Sequence, residues 1–119
     1  MTNPYETSAV TLGQAEFLTI AYTRMRTKVR RLIEIEELKV RGKLSLPLIK
    51  EKFDITRNVL QAVGILQNDI KDIENNMELA DILAEIGFQI SFGNVGIDKE
   101  TSMRHYNNVV IILDCFFGD

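Results

Sequence analysis

Apolar residues recur along the first half of the chain at helical spacing. Between Thr11 and Arg41, Leu18, Tyr22, Met25, Val29 and Leu32 follow one another at intervals of four, three, four and three, the seam of an amphipathic helix. Thr11 is placed to cap its start and Gly42 to stop it. Ser45-Leu46-Pro47 then restarts a helix, because serine caps and a proline in the first turn lacks only a donor that the helix does not use there. This second helix is predicted to run to about Asn75. Ile49, Phe53, Leu60, Val63 and Ile70 make one apolar stripe, and Ile55, Val59, Ala62 and Leu66 make another beside it, so the helix should touch two neighbours. Gly64 inside that arc implies either a close helix approach or no special role.

Beyond Asn75-Asn76 the pattern changes. Met77 to Ile86 gives a short helix, with Gly87 as its stop. Phe88-Gln89-Ile90-Ser91-Phe92 alternates with period two, and Val109 to Leu113 with Cys115-Phe116-Phe117 is rich in β-branched and aromatic residues. Two antiparallel strands are predicted from these runs. The competing pattern is a last helix from Lys99 to Phe117, capped by Asp98 and stopped by Gly118, with Met103, Tyr106, Val110, Leu113 and Phe117 at helical spacing. The expected fold is therefore α+β and predominantly α: a long antiparallel helical hairpin, a short helix and a C-terminal two-stranded β element. An all-α four-helix bundle is the alternative. Residues 1–10, polar and without a period, are expected to form a flexible arm before a single domain at 11–119.

Two helices of about 40–45 Å would overhang a compact sphere of this chain length, about 35 Å across. A homodimer or higher oligomer is expected on that ground, covering the overhang.

The composition, 45% apolar and 26% charged, is that of an ordinary globular domain. A single cysteine (Cys115) and a single histidine (His105) exclude an intramolecular disulfide and a Cys/His zinc site within one chain. With no apolar run of membrane-spanning length and no signal-like start, a soluble cytoplasmic protein with no membrane partner is expected. Charge divides along the chain: residues 1–60 hold eleven Lys/Arg against seven Asp/Glu, and residues 61–119 hold three against ten. Arg24, Arg26, Lys28, Arg30 and Arg31 make a local positive field that could follow a nucleic-acid backbone. They divide between two helix faces, no aromatic is interleaved to stack a base, and the total charge is −3, so nucleic acid is not the expected partner. These cations are expected instead to meet the acidic set Asp69, Asp72, Glu74, Glu78, Asp81 and Glu85, within or between chains.

Candidate chemistry is sparse. No phosphate-cradling glycine loop and no nucleophile motif is present. Arg57-Asn58 lacks the following histidine of the HEPN ribonucleases. Cys115 is expected in the core and His105 at the surface or at a cap, while residues 98–108 concentrate donors, acceptors and an aromatic and could form a ligand-binding loop. Paired carboxylates are the sharper signal. Glu34 with Glu37, Glu51 with Asp54, and Glu78 with Asp81 each stand three apart, and two such pairs on facing helices can hold Mg²⁺ among oxygens. This spacing resembles the all-α nucleoside triphosphate pyrophosphohydrolases of the MazG-like group. The resemblance implies Glu34 and Glu37 as the first metal pair, Glu78 and Asp81 within Met77 to Leu83 as the second, and Mg²⁺ as the cofactor. The bland alternative is solvated helix faces, with pairs such as Glu36–Lys39 and Glu37–Arg41.

The pattern as a whole favours a small, non-enzymatic interaction or adaptor protein needing no cofactor, self-associating and binding protein partners. Leu18, Tyr22, Met25, Val29 and Leu32 are the expected hairpin or dimer seam, and Phe88, Ile90, Phe92, Phe116 and Phe117 are expected to close the core or an interface. A Mg²⁺-dependent nucleotide hydrolase is the second reading and a nucleic-acid-binding accessory factor the third.

Overall fold

The computed structural model describes residues 12–69, 77–96 and 98–118, with the side chains of 12–18, 69 and 77 outside the description. Four helices follow in chain order: α1 (Leu12–Glu37), α2 (Leu46–Asp69), α3 (Met77–Asn94) and α4 (Lys99–Phe116). Among the described residues there is no strand or sheet, so the all-α bundle replaces the α+β architecture expected from the sequence. The predicted arm at 1–10, the Thr11 cap and the end of the second helix at 70–75 lie outside the described residues.

Each helix packs on the next in sequence, and α4 returns to α1. The pairings Arg31–Glu51, Thr56–Asn94, Gln89–His105 and Tyr22–Asp114 each match a residue in the first half of one helix with one in the second half of its neighbour. All four contacts are therefore antiparallel, and the bundle is up-down-up-down. The α1/α2 face and the α3/α4 face lie on opposite sides of it.

The first turn of chain between helices is tight. Val40 and Lys43 exchange both backbone hydrogen bonds (2.9 and 3.0 Å), around Arg41 and Gly42 with φ of 53° and 75°. Two positive φ values in succession are those of a type I′ turn, so α1 stops at Glu37, four residues short of the expected Arg41. At the other connection, Asp98 Oδ1 accepts from the Thr101 amide at 2.7 Å and caps α4, and that bond holds its carboxyl below the ordinary aspartate value.

Met25, Val29, Leu32 and Ile35 of α1, Val59, Val63 and Leu66 of α2, Leu83, Ile86 and Ile90 of α3, and Tyr106, Val109 and Leu113 of α4 form the core. The two predicted strands are helical because these same residues bury one stripe each. Leu83, Ile86, Ile90 and Gly93 recur at three, four and three, which a helix turns inward together; Phe88 and Phe92, four apart, then share the opposite face. In α4, Ser102, Tyr106, Val109 and Leu113 do the same. The β-branched run contributes only Val109 and Leu113 to the interior, and Cys115 is exposed, not in the core as expected. Residues 99–108 are the first turns of α4, so the anticipated ligand loop is not a loop.

Glycine is required at one place in α3. A Cβ on Gly93 would lie 2.4 Å from Cε1 of Tyr106, so the ring rests directly on the helix backbone. Gly64 has nothing within 4 Å, which settles it as a glycine with no packing role.

Candidate functional site

Three features stand out from the solvated helix surface: a buried ionic cluster, a groove between α1 and α2, and an aromatic stripe on α3.

The cluster lies where α1 ends and α2 begins. Glu36 is fully buried, with Lys52 Nζ 2.6 Å from Oε1 and Lys39 Nζ 2.5 Å from Oε2, the latter as an ion pair and not an aligned hydrogen bond. The sequence reading had this glutamate on a solvated face with Lys39. The fold adds Lys52 from the facing helix, and the lysine side chains cover the carboxylate. Close by, the Tyr106 hydroxyl is buried with no hydrogen-bond partner among the described residues; burial first, and the Glu36 charge second, push it well above the usual tyrosine range. Ser102 Oγ is likewise unpaired, in contact distance of Gly96, where a Cβ would lie 2.3 Å from it. Every charge here has an opposite partner, and no nucleophile is activated. The cluster ties the end of α1 to the start of α2.

The carboxylate pairs of the hydrolase reading do not converge. Glu34 and Glu37 line a polar depression of about 280 Å³ between α1 and α4, with Arg30 and Asn107. Glu78 and Asp81 lie in the first turns of α3, exposed, at the opposite end of the bundle. Glu51 does approach Glu34, but through Arg31, whose guanidinium gives Nε and Nη2 to both Glu51 oxygens (2.5 and 2.9 Å) and Nη1 to Glu34 (3.1 Å). Hydrogen bonding to Glu51 first and Glu34 second holds Arg31 above its ordinary range, and the arginine in turn holds the Glu51 carboxyl below the usual glutamate value. A cation sits where a metal would have to bind. Among the described residues no group of three or more His, Cys, Asp or Glu is placed to hold a metal ion.

The expected seam is filled from within. Met25, Val29 and Leu32 are buried against the chain's own helices, and Tyr22 donates from its hydroxyl to Asp114 Oδ1 at 2.8 Å; Leu18 is in α1, with its side chain outside the description. Ile90 is also in the core and Phe117 half-buried, whereas Phe88, Phe92 and Phe116 are exposed. Of the basic residues, Arg26 is held by Asp114 (2.8 Å) and Arg31 by Glu51 and Glu34; Arg24 and Lys28 make no ion pair among the described residues. Of the acidic residues expected to meet this set, the Asp69 side chain, Asp72 and Glu74 lie outside the description, and Glu78, Asp81 and Glu85 form no ion pair with it among the described residues.

No family model matches this sequence, and no curated protein and no solved structure matches it. The surfaces must therefore be read from their own chemistry.

Arg24 and Lys28, with Ile20, rim a groove of about 260 Å³ whose other wall is Ala62 and Ile65 and whose floor is Met25, Val59 and Leu66. Ligand pockets span about 300–1,000 Å³, so this groove suits one or two side chains better than a metabolite. Across the bundle, Phe88 and Phe92 stack with centroids 6.4 Å apart and planes 20° apart, and Phe92 tilts against His105 of α4 at 5.6 Å. Gln89 supports them: its Nε2 donates to Glu85 (2.9 Å), so its Oε1 accepts from Asn108 (3.3 Å) and from His105 Nδ1 (2.7 Å), which must carry the proton. The rings are 58% and 51% exposed despite this scaffold. Nothing in the sequence pattern separated these exposed phenylalanines from core ones, because the strand reading put Phe88, Ile90 and Phe92 on one face.

Proposed function

We propose that this chain is an oligomeric interaction protein of the adaptor type, acting by self-association and protein binding through its outer helix faces, and not an enzyme. The supporting observation is that large apolar side chains remain outside although the bundle core is closed: Ile65, Phe88, Phe92, Ile111 and Phe116 are all more than half exposed. Of these, Phe88 and Phe92 stack into one exposed aromatic patch, and an exposed apolar patch marks an interaction site on a small protein. The polar features support the same reading, since Glu36 and Arg31 are each engaged by charged partners of this chain. No described helix is long and apolar enough to cross a membrane, so these faces are not a spanning surface.

Light scattering for mass, run beside a thermal-shift scan over Mg²⁺, Mn²⁺ and nucleotides, tests this. The expected result is a mass above the 13.6 kDa of one chain, with no metal-dependent shift. A rise in Tm with Mg²⁺ that disappears in Glu37→Gln would overturn it in favour of the metal-dependent nucleotide hydrolase.

A further inference from the structure

The groove between α1 and α2 and the stripe on α3 are complementary in charge, in size and in order along their helices. We infer that the α3 stripe of one copy docks into the α1/α2 groove of the next, so that the chain assembles head to tail. This rests on the self-association part of the proposed function and specifies its surfaces.

The stripe runs Asp81, Glu85, Phe88, Phe92, at intervals of four, three and four, all on the outer face of α3. The groove rim runs Lys28, Arg24, Ile20 along α1 in the reverse direction, with Ile65 across from Ile20. Set antiparallel, the two acids face the two cations and the aromatic end covers the apolar mouth. At the helical rise, Asp81 to Phe88 is about 10 Å and Lys28 to Ile20 about 12 Å, so these positions match and Phe92 reaches about one turn past Ile20. Arg24 and Lys28 have no ion-pair partner among the described residues, and the groove volume fits an aromatic side chain. The docked arrangement would supply both.

Because ring order places the groove and the stripe on opposite sides of the bundle, one copy uses different patches for its two neighbours. Such a contact is heterologous, and it propagates into rings or filaments instead of closing as a two-fold dimer. Its ionic half makes it salt-sensitive.

Sedimentation velocity of the full chain over a hundredfold concentration range, at low and high salt, with two charge reversals on exposed residues, is the test. In the wild type the mass should climb with concentration past twice 13.6 kDa and fall in high salt. Arg24→Glu with Lys28→Glu should be monomeric, as should Asp81→Lys with Glu85→Lys, each with a wild-type circular dichroism spectrum. Mixed, the two variants pair native stripe with native groove and reversed stripe with reversed groove, so copies should alternate and growth should return. Combining all four substitutions in one chain restores complementarity and should restore growth. A wild type that stops at a dimer indifferent to these reversals would overturn the head-to-tail assembly while leaving self-association standing; a monomer at every concentration would overturn both.

Discussion

Of the ionic contacts that tie α1 to its neighbours, one at its C-terminal end and one near its middle lie in opposite surroundings. At the C-terminal end, Glu36 is sealed from solvent between Lys39 and Lys52. Ten residues earlier, Arg26 and Tyr22 both bond Asp114 of α4, with the Arg26 and Asp114 side chains about a third or more exposed (33% and 42%). The bond lengths are similar. Their energetic weight is not, because a charge removed from water depends on its partners, whereas an exposed pair competes with solvation and salt for little net gain. Packing follows the same division. The Glu36 end has Tyr106 pressed on the backbone at Gly93, while the α1/α2 side opens into a groove. Ring-on-backbone packing belongs to the Glu36 end, which opens into the polar depression beside Glu34 and Glu37, and the apolar groove lies away from it.

The largest effect that would break this contrast is at Glu36. Glu36→Ala leaves two lysines facing each other in a covered site, and should cost about 3–5 kcal/mol of stability in urea unfolding. Glu36→Leu combined with Lys39→Met and Lys52→Met, which removes all three charges and keeps the volume apolar, should recover most of that loss. If Glu36→Ala unfolds no more easily than wild type, the buried end has no special weight. Next in size is Gly93→Ala. Its methyl would fall 2.4 Å from the Tyr106 ring, and the displacement of ring or helix should cost about 1–3 kcal/mol by the same measurement.

These two positions also show where the sequence was legible. The 4-3-4-3 spacing from Leu18 to Leu32 identified the first helix, since burial of one face imposes that period directly. Helical spacing likewise exposed the Asp98 cap and the Gly118 stop of α4, which the strand reading outweighed because β-branched residues fit either state when half of them face solvent. Phe88-Gln89-Ile90-Ser91-Phe92 is the harder case: alternation at period two and a helix with Ile90 inside and Phe88 and Phe92 outside use the same five letters. Only the longer frame from Leu83 to Gly93 separates them. Glu36 with Lys52 was not readable, because sixteen residues and a turn separate partners that only tertiary packing joins. The groove-and-stripe pair was out of reach for the same reason, although Phe88, Phe92, Arg24 and Lys28 were each visible as unusual.

A smaller and opposite effect is expected in α2. Gly64 lies mid-helix with open space where a Cβ would be, so Gly64→Ala should stabilise the bundle by about 0.5–1 kcal/mol through the unfolded chain's lost freedom. Thermal unfolding of Gly64→Ala beside Gly93→Ala compares one substitution at two ends. Equal signs would mean that the close contact at Tyr106 relaxes without cost.

The smallest effect sharpens the contrast through pH. The Asp114 carboxyl is held below its ordinary value near 3.8, by the hydrogen bond from Arg26 first and that from Tyr22 second. A depressed folded-state value means the stabilisation is fully present above the unfolded value and is lost as pH falls through the folded one. Stability contributed by this contact should therefore hold at neutral pH and fade below about pH 4, on the acid side of the ordinary aspartate range. Asp114→Asn should lower Tm at pH 7, and the gap to wild type should close as pH drops toward 2. Adding salt at pH 7 should narrow it too, because the pair is exposed to screening. A gap that persists unchanged at pH 2 would show that Asp114 acts there by packing alone, and the two contacts of α1 would then differ in the kind of force that holds them as well as in burial.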